Sequence, residues 1–456
     1  MRDDIKRSNK YQTKISAATV NLKIAARLDG MKVQHSYLTQ YLYAKERAAQ
    51  GILQSVTPAI QSTMFPFYMA FVRQLAKRAL AGIDGPALTS FATSLMQSWQ
   101  ARNLVLSAAQ TLTQNLFGVW PPAPLIPAGT SPRSPCINTT DNKLYVVLEG
   151  ANKVAIIDLL TGTLITLVTV GTTPIGSTYN PTNNKVYISN MLSANVTIID
   201  GTTNAVLATV AVGTFPGTPC YNSTNNKVYS PSEGDSTVSI IDGASNLVLA
   251  TPAVGLGSAR SCYNAINNKI YIANSGALTV SVINGATNAV DATIILASAP
   301  GFFGFYPAKD KLYVTNPAAD AVSIVNGATN AVIATPAVGV IPVCVTVDPT
   351  DNKVFITNTG SNNVSVINGT SNAVTATVAA GAHASASCYN PTDGKIYVAD
   401  DTDVTVINAT SNAILTTVPI SSKPIDPIHD VITDKVFVPN YNTGYIYIID
   451  GKYNKL

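Results

Sequence analysis

An all-β propeller of eight four-stranded blades, preceded by an α-helical bundle, is the fold that the sequence predicts. Three observations predict it. One segment repeats at a fixed spacing along most of the chain, each copy contains four strand-like runs, and the last copy lacks one run that has a counterpart ahead of the first copy.

A lysine at the end of an Asn-rich turn marks each copy of the repeat. Eight such lysines are present, and the intervals between them are equal except for the last, which is slightly shorter. Their spacing of about 42 residues lies within the roughly 40 to 45 residues that a four-stranded propeller blade requires. The lysines are Lys143, Lys185, Lys227, Lys269, Lys311, Lys353, Lys395 and Lys435.

The second copy, counted from one lysine to the next, shows the four strand-like runs of the repeat. "TPCYN" at 218–222 precedes the next lysine, and "VYISN" at 186–190 follows a lysine directly. The alternating run "VTIID" at 196–200 is joined by the turn "GTTNA" to the third run after the lysine, "VLATVAVG" at 206–213. β-Branched and aromatic runs bounded by Gly and Asn are strand and hairpin signals.

The chain end predicts how the ring closes. The eighth copy stops soon after "YIYIID" and lacks its outermost run, whereas "LIPAGTSP" at 125–132 resembles the end of such a run, with Gly129 lying one full repeat before Gly171. We therefore expect the segment before blade one to supply the missing strand, which leaves no open sheet edge. The sequence divides into a helical domain over 1–119, a Pro-rich linker and closing strand over 120–128, and a propeller over 129–456. A seven-bladed ring, the alternative, would leave one copy unused.

These repeats resemble the YVTN-type β-propeller family over residues 124–456. Tyr313, Val314, Thr315 and Asn316 spell the motif that gives the family its name. The resemblance implies a propeller that serves as a binding or surface module, with no shared set of catalytic residues. It does not imply a particular partner, because one fold hosts many functions.

The first 119 residues have a different composition, rich in Ala, Leu, Gln, Lys and Arg. Their apolar residues recur at helical spacing, which predicts a small bundle. The apolar stretch at 56–72 contains Pro66 and is shorter than the roughly 20 residues that a membrane span requires. We therefore expect no membrane-spanning helix. The predicted helices cover 14–28, 31–57, 59–81 and 86–117.

Charge is divided unevenly between the two parts. Residues 1–120 contain 14 Lys and Arg against 5 Asp and Glu, whereas the remainder contains 15 against 20. The basic part is predicted to meet an acidic surface: protein, including an acidic ring of another copy, anionic lipid or nucleic acid. Its basic residues lack the interleaved aromatics typical of single-strand binding, so nucleic acid is not favoured. Simple solvation of a bundle is the alternative. The candidate contacts are Arg2, Lys6, Arg7, Lys10 and Lys14.

Five cysteines occur, and four of them lie seven residues before a repeat lysine. Equivalent places on successive blades are held apart, so we expect buried thiols without disulfides. No zinc or dinucleotide pattern is present, and no cofactor is predicted. The start of the chain lacks an apolar signal core, which leads us to expect an intracellular protein. An organelle-like compartment and a virion both agree with this expectation.

Blade seven contains a cluster of carboxylates in a shortened turn. Asp400, Asp401 and Asp403 are a candidate calcium site, with a solvated hairpin tip as the alternative. The three histidines lie in separate regions without metal-ligand spacing. His429 replaces a repeated tyrosine, which predicts packing between blades rather than catalysis.

Blade five departs from the repeat with "APGFFGFYPAKDK" at 299–311. Phe305 keeps the repeated aromatic place and is expected in the core. Phe302 and Phe303 are predicted to lie in the loop that enters the blade. They are a candidate aromatic anchor for a partner, with local packing as the alternative.

Three functions agree with these features. The first is a non-enzymatic assembly subunit that connects a larger complex, such as a filament or tubule. The architecture also resembles a helical-plus-propeller subunit that accompanies nitrite oxidoreductase in tubule-forming bacteria, which implies the same role. The second is a virion attachment or decoration protein that binds a receptor or glycan. The third, an enzyme that uses the central channel, is disfavoured by the scarcity of histidine.

Overall fold

The structure, a computed structural model, describes residues 125–456, and these form an eight-bladed β-propeller. The predicted eight blades of four strands are confirmed. The predicted helical domain and its basic residues (Arg2, Lys6, Arg7, Lys10 and Lys14) lie outside the described residues. Within 125–456, no helix has the length and apolar character needed to cross a membrane.

Thirty-two strands and three short 3-10 helices make up this part of the chain. The first sixteen strands are β1 (Ile126–Pro127), β2 (Pro132–Asn138), β3 (Lys143–Leu148), β4 (Lys153–Asp158), β5 (Thr163–Thr169), β6 (Pro174–Asn180), β7 (Lys185–Asn190), β8 (Asn195–Asp200), β9 (Val206–Ala211), β10 (Cys220–Asn222), β11 (Lys227–Ser232), β12 (Thr237–Asp242), β13 (Val248–Ala250), β14 (Ser258–Asn264), β15 (Lys269–Asn274) and β16 (Thr279–Asn284). The others are β17 (Val290–Ile295), β18 (Phe303–Tyr306), β19 (Lys311–Asn316), β20 (Ala321–Asn326), β21 (Val332–Ala334), β22 (Pro342–Asp348), β23 (Lys353–Asn358), β24 (Asn363–Asn368), β25 (Val374–Ala379), β26 (Ala386–Asn390), β27 (Lys395–Ala399), β28 (Asp403–Asn408), β29 (Ile414–Pro419), β30 (Ile428–Asp430), β31 (Lys435–Pro439) and β32 (Tyr445–Asp450). The 3-10 helices are Glu149–Ala151, Pro307–Lys309 and Pro317–Ala319.

Each blade is an antiparallel sheet whose strands follow one another in sequence order. Blade one is β2 to β5, blade two is β6 to β9, and the series continues to β30, β31 and β32 in blade eight. The first strand of each blade contacts the first strand of the next, and β30 contacts β2. These eight strands therefore form a closed inner ring around the channel.

The ring closes through β1, as predicted. This strand pairs antiparallel with β32 and brings Ile126 opposite Ile446. The backbone N–H groups of Ala128 and Gly129 both donate to the carbonyl of Gly444 at 3.0 Å. The strand before blade one thus completes blade eight and protects its outer edge.

Asparagine occurs in the turns because the backbone there has positive φ angles. Asn184, which precedes a repeat lysine, has φ 52, and Asn204, in the turn before the outermost strand, has φ 63. Asn tolerates this left-handed region better than most residues do. The turn residues therefore favour the tight hairpins that separate the strands.

The repeat lysine joins adjacent blades. Lys185 of blade two donates from Nζ to the carbonyls of Gly243 and Ala244 in blade three, at 2.8 and 3.0 Å, and to Asn246 Oδ1 at 2.9 Å. Burial lowers the pKa of Lys185. Three oxygen acceptors offset the desolvation of this ammonium group, as a buried cation requires. The same contact between consecutive blades is made by the other repeat lysines from Lys143 to Lys395.

The boundary between blades eight and one is built differently. Lys435 makes no side-chain hydrogen bond within 125–456, since the facing turn of blade one has the distinct sequence "DLLTGT". An apolar cluster lies here instead, in which Ile126 of the closing strand packs with Leu159, Phe437 and Ile448. Hydrophobic contact therefore replaces the lysine contact where the ring closes.

The cysteines are free, half-buried residues of the inner strands. Cys136 packs against the apolar cluster that contains Tyr145, and Cys262 packs against the cluster that contains Tyr271. Burial raises the pKa of the Cys136 thiol to about 12. The prediction of unpaired thiols that pack as small apolar groups is confirmed, although the cysteine residues are half-buried rather than fully buried.

Candidate functional site

Two sets of loops form one face of the ring. The loops that lead into each inner strand are hydrogen-bonded to the loops that join the second and third strands of a blade. The N–H of Leu192 donates to Thr172 O at 3.2 Å, and the N–H of Gly360 donates to Val340 O at 2.9 Å. We call this side the loop face, and the side that carries the other hairpin turns the turn face.

Large apolar side chains are exposed on the loop face of blades two to six. Their exposed fractions range from 36% to 62%. Acidic residues, among them Glu233 and Asp235, are interspersed with them. We call this group the apolar arc, and it consists of Leu192, Phe215, Leu256, Leu278, Phe302, Val340 and Ile341.

The loop face of blades seven, eight and one carries polar groups instead. His383 Nδ1 lies 2.6 Å from Asp401 Oδ2. Lys423 Nζ lies 4.6 Å above the ring of Tyr441, whose hydroxyl donates to Glu149 Oε2 at 3.3 Å. The face is therefore divided into an apolar and a polar part, which gives a partner a defined orientation.

Eight equivalent residues lie in the first part of an inner strand or just before it, near the loop face. Each lies nine positions before a repeat lysine. Five are small, and the other three are an arginine, a phenylalanine and an aspartate. We call this set the channel ring: Ser134, Gly176, Thr218, Arg260, Phe302, Cys344, Ala386 and Asp426.

Arg260 is the one cation of the channel ring. Its guanidinium carbon lies 3.8 Å from the centre of the Phe302 ring, and it makes no hydrogen bond or ion pair within 125–456. Burial lowers the pKa of Arg260, and the like charge of Arg133 lowers it further. Arg260 is thus a half-buried guanidinium whose face is stacked and whose N–H groups lack acceptors.

Asp426 belongs to blade eight and lies across the channel from Arg260 in blade four. One of its oxygens, Oδ2, accepts a hydrogen bond from the backbone N–H of Ser134 at 2.9 Å. Beside it, Arg133 Nη1 forms an ion pair with Glu149 Oε2 at 2.9 Å, while the buried Nε of Arg133 has no partner among residues 125–456. The channel mouth therefore has an arginine paired with a carboxylate on one side and an arginine without one on the other.

The two phenylalanines predicted as a partner anchor have different positions. Phe302 lies in the loop, as predicted, and contacts Arg260. The prediction that Phe303 lies in that loop is wrong, because Phe303 begins β18, pairs with Val314 and packs against a buried cluster. Phe305 packs against the same cluster, in agreement with its predicted core role.

The carboxylates of Asp400 and Asp401 in blade seven have different partners. Asp400 is buried and accepts a hydrogen bond from Thr405 Oγ1 at 2.6 Å, whereas Asp401 pairs with His383. Burial raises the pKa of Asp400 to about 7, and neighbouring Asp403 contributes to this rise. Within 125–456, no three His, Cys, Asp or Glu side chains converge as metal ligands. The geometry does not assemble Asp400, Asp401 and Asp403 into the predicted calcium site.

His429 packs between blades, as predicted. It is almost fully buried, and its Nε2 lies 3.1 Å from Asp434 Oδ1, which also accepts from Asn390 of blade seven at 2.9 Å. In blade two, Tyr179 contacts Asn184 in the same way, also at 3.1 Å. The imidazole thus replaces a phenol in a structural contact.

Sequence reasoning missed Arg260, Asp426 and Arg133. A signal was present for the first two, since they stand with Phe302 as the only large or charged residues nine positions before a repeat lysine. Aligning all eight copies on that position would have separated these three from the small residues. Arg133 lies one position earlier, where it is the only charged residue among the eight copies, so the same alignment would have revealed it.

No protein-family model and no curated protein sequence matches the chain. Solved structures are similar to it. A hydrazine synthase from Kuenenia stuttgartiensis is 16% identical with a TM-score of 0.51, covering 67% of this chain and 98% of that one. The dihydro-heme d1 dehydrogenase NirN is 14% identical with a TM-score of 0.61, covering 76% and 82%. Sqt1 from Saccharomyces cerevisiae is 10% identical with a TM-score of 0.60, covering 70% and 94%. At these identities, the likeness establishes the propeller fold alone.

Proposed function

We propose that this chain is a non-enzymatic assembly subunit that binds a protein partner through the loop face of its propeller. The apolar arc is the observation that carries the proposal. Clustered apolar side chains on a surface mark interaction sites more often than isolated ones do. The resemblance to YVTN-type repeats supports it, since members of that family are mostly binding modules.

The construction of the ring suits such a role. Lysine contacts fix neighbouring blades to one another, and backbone hydrogen bonds hold the loops of the loop face together. A surface that is already ordered loses little conformational entropy on binding. The polar part of the loop face would orient the partner, and the basic sequence of 1–120 would provide a second contact with an acidic surface.

Photo-cross-linking tests the proposal on the full chain in its native source. A photoreactive amino acid replaces Leu256 on the loop face, or Ile266 on the turn face as the matched control. Both residues are similarly exposed, at 62% and 58%. We expect a discrete protein adduct from position 256 that position 266 does not give.

A second arm tests whether the apolar arc causes this contact. The triple variant Leu192→Ser, Leu256→Ser and Val340→Ser, with the photoreactive residue at position 278, should lose the adduct. The matched triple Leu160→Ser, Ile266→Ser and Val431→Ser on the turn face should retain it. Equal adducts from both faces, or an adduct that survives the first triple variant, would contradict the proposal.

A further inference from the structure

We propose that the channel mouth binds a single carboxylate, presented by an acidic side chain of the protein that docks on the loop face. The inference rests on the proposed function and specifies the chemistry of the partner. Arg260 provides the binding group, Phe302 orients it, and Asp426 and Glu233 limit the charge that can be accepted.

The guanidinium of Arg260 has donors that no acceptor within 125–456 uses. A guanidinium carries five N–H donors, and their hydrogen bonds to a carboxylate are charge-assisted and strong. Arg260 is half-buried, yet none of its donors meets an acceptor within 125–456. An oxygen ligand at this place would satisfy groups that the fold leaves without partners.

The ring of Phe302 fixes the orientation of the Arg260 guanidinium. The Phe302 ring lies 3.8 Å from the guanidinium carbon and covers one face of the planar group. Stacking leaves the N–H groups free in the plane of the guanidinium, where they match a carboxylate with two parallel hydrogen bonds. Because Phe302 belongs to the next blade, the arginine is held by the ring rather than free to swing.

Arg133 and Arg260 differ in whether the described ring provides a carboxylate partner. That arginine already has a carboxylate, Glu149 at 2.9 Å, from its own blade. Arg260 has no such internal carboxylate within 125–456, although both guanidinium groups lie at the same mouth. The Arg133 pair shows what Arg260 lacks, and a partner's acidic side chain would complete the second pair.

The carboxylates near Arg260 favour a singly charged ligand. Glu233 and Asp426 lie near enough for their charges to raise the pKa of Arg260. A doubly charged phosphate would be repelled by these two carboxylates, whereas one carboxylate adds a single charge beside Arg260 and Arg133.

The probe for the test is N-acetylglutamate amide, which presents one side-chain carboxylate. Its binding to the full chain is measured by saturation-transfer NMR, with N-acetylglutamine amide as the uncharged isostere and inorganic phosphate as the doubly charged competitor. We expect saturable binding of the glutamate probe alone. Arg260→Met should weaken it at least about tenfold, since hydrogen bonds to charged groups contribute this much.

Two further variants separate a binding role from a structural one. Arg260→Lys keeps the charge but loses the paired donors, so it should bind more weakly than wild type and more tightly than Arg260→Met. Lys309→Met removes an exposed charge on the turn face and should change nothing. Thermal unfolding of each variant checks that the ring remains folded.

The outcomes distinguish this inference from the proposed function. Equal binding of the glutamine isostere, tighter binding of phosphate, or no effect of Arg260→Met overturns the carboxylate site. Loss of the position 256 adduct with retained probe binding overturns the docking function and leaves an anion site without its partner. A retained adduct without probe binding overturns the carboxylate site alone.

Discussion

Asp400 lies against Asp403 in the buried position where blade two places Asn190 against Asn195. In blade two, the amide of Asn190 donates to Asn195 Oδ1 at 2.7 Å. In blade seven, both residues are acids, and the buried oxygens Asp400 Oδ1 and Asp403 Oδ1 have no other partner within 125–456. One shared proton would replace the amide donor, and this contact adds to burial, the main cause of the raised pKa of Asp400.

Stability should therefore fall as pH rises through the range in which Asp400 loses its proton. Burial raises the pKa of Asp400 from near 4 to about 7, so the folded state binds more protons than the unfolded state between these values. Linkage then makes unfolding easier as pH rises from about 4 to 7, by roughly 2 to 4 kcal/mol. Urea unfolding at pH 5 and pH 8 measures the difference.

Asp400→Asn should remove this dependence, because it restores the amide of the other blades. Asp401→Asn, which changes the adjacent exposed carboxylate, is the control and should leave the dependence unchanged. The shared-proton explanation fails if Asp400→Asn keeps the same difference between the two pH values.

Gly394→Asn should stabilise the ring. Gly394 has φ 62, which Asn tolerates, and a Cβ there would meet nothing within 4 Å. Asn occupies this place in blade two, where Asn184 accepts a hydrogen bond from Asn138 of blade one at 2.8 Å. In blade six the residue that corresponds to Asn138 is Asp348, whose buried Oδ2 has no partner in the described part of the chain.

The new amide would donate to Asp348 and is expected to add about 1 to 2 kcal/mol. Gly394→Ala is the matched control, since it introduces a Cβ at positive φ without a donor and should destabilise by about 1 kcal/mol. Chemical denaturation of both variants compares them. A glycine-to-asparagine variant no more stable than the alanine variant would contradict the prediction.

The sequence was sufficient for the fold because its repeat carries redundant information. Eight copies of the same strand pattern, with Gly129 and Gly171 at equivalent places in it, determined both the number of blades and the strand that closes the ring. The channel mouth was not predictable in the same way. Arg260 and Asp426 are brought across the channel from each other by the eightfold closure, which no local pattern encodes.

The positions of residues in and near the loops were also not predictable from the sequence. The sequence of blade five predicts Phe303 in the loop that enters the blade, whereas pairing with Val314 places it in β18. The apolar arc was not predicted from the sequence either. Residues such as Leu192 and Val340 stand singly among Gly, Ser and Thr, and only the hydrogen-bonded loops show that they share one face.

Lys185→Met should destabilise the propeller far more than Lys435→Met. The ammonium group of Lys185 donates to three oxygens of blade three and is 9% exposed as a residue, so its removal leaves buried acceptors unpaired. We expect a loss of about 2 to 3 kcal/mol. Lys435 has no such contacts within 125–456, and its change should cost less than about 0.5 kcal/mol. If the urea midpoints of the two variants coincided, the contact of Lys185 with blade three would not contribute to stability as predicted.

Ile126→Ala tests the closing strand. Ile126 is 3% exposed, pairs with Ile446 and packs in the cluster that replaces the lysine contact between blades eight and one. Removing its side chain should cost about 2 to 4 kcal/mol, as for other large-to-small changes in a core. Ile165→Ala, on the outermost strand of blade one, is the matched control because Ile165 is 43% exposed, and it should cost little. Hydrogen exchange should then show faster opening of β32 in Ile126→Ala than in Ile165→Ala. Equal exchange at β32 in the two variants would mean that blade eight holds its place without the strand that precedes blade one.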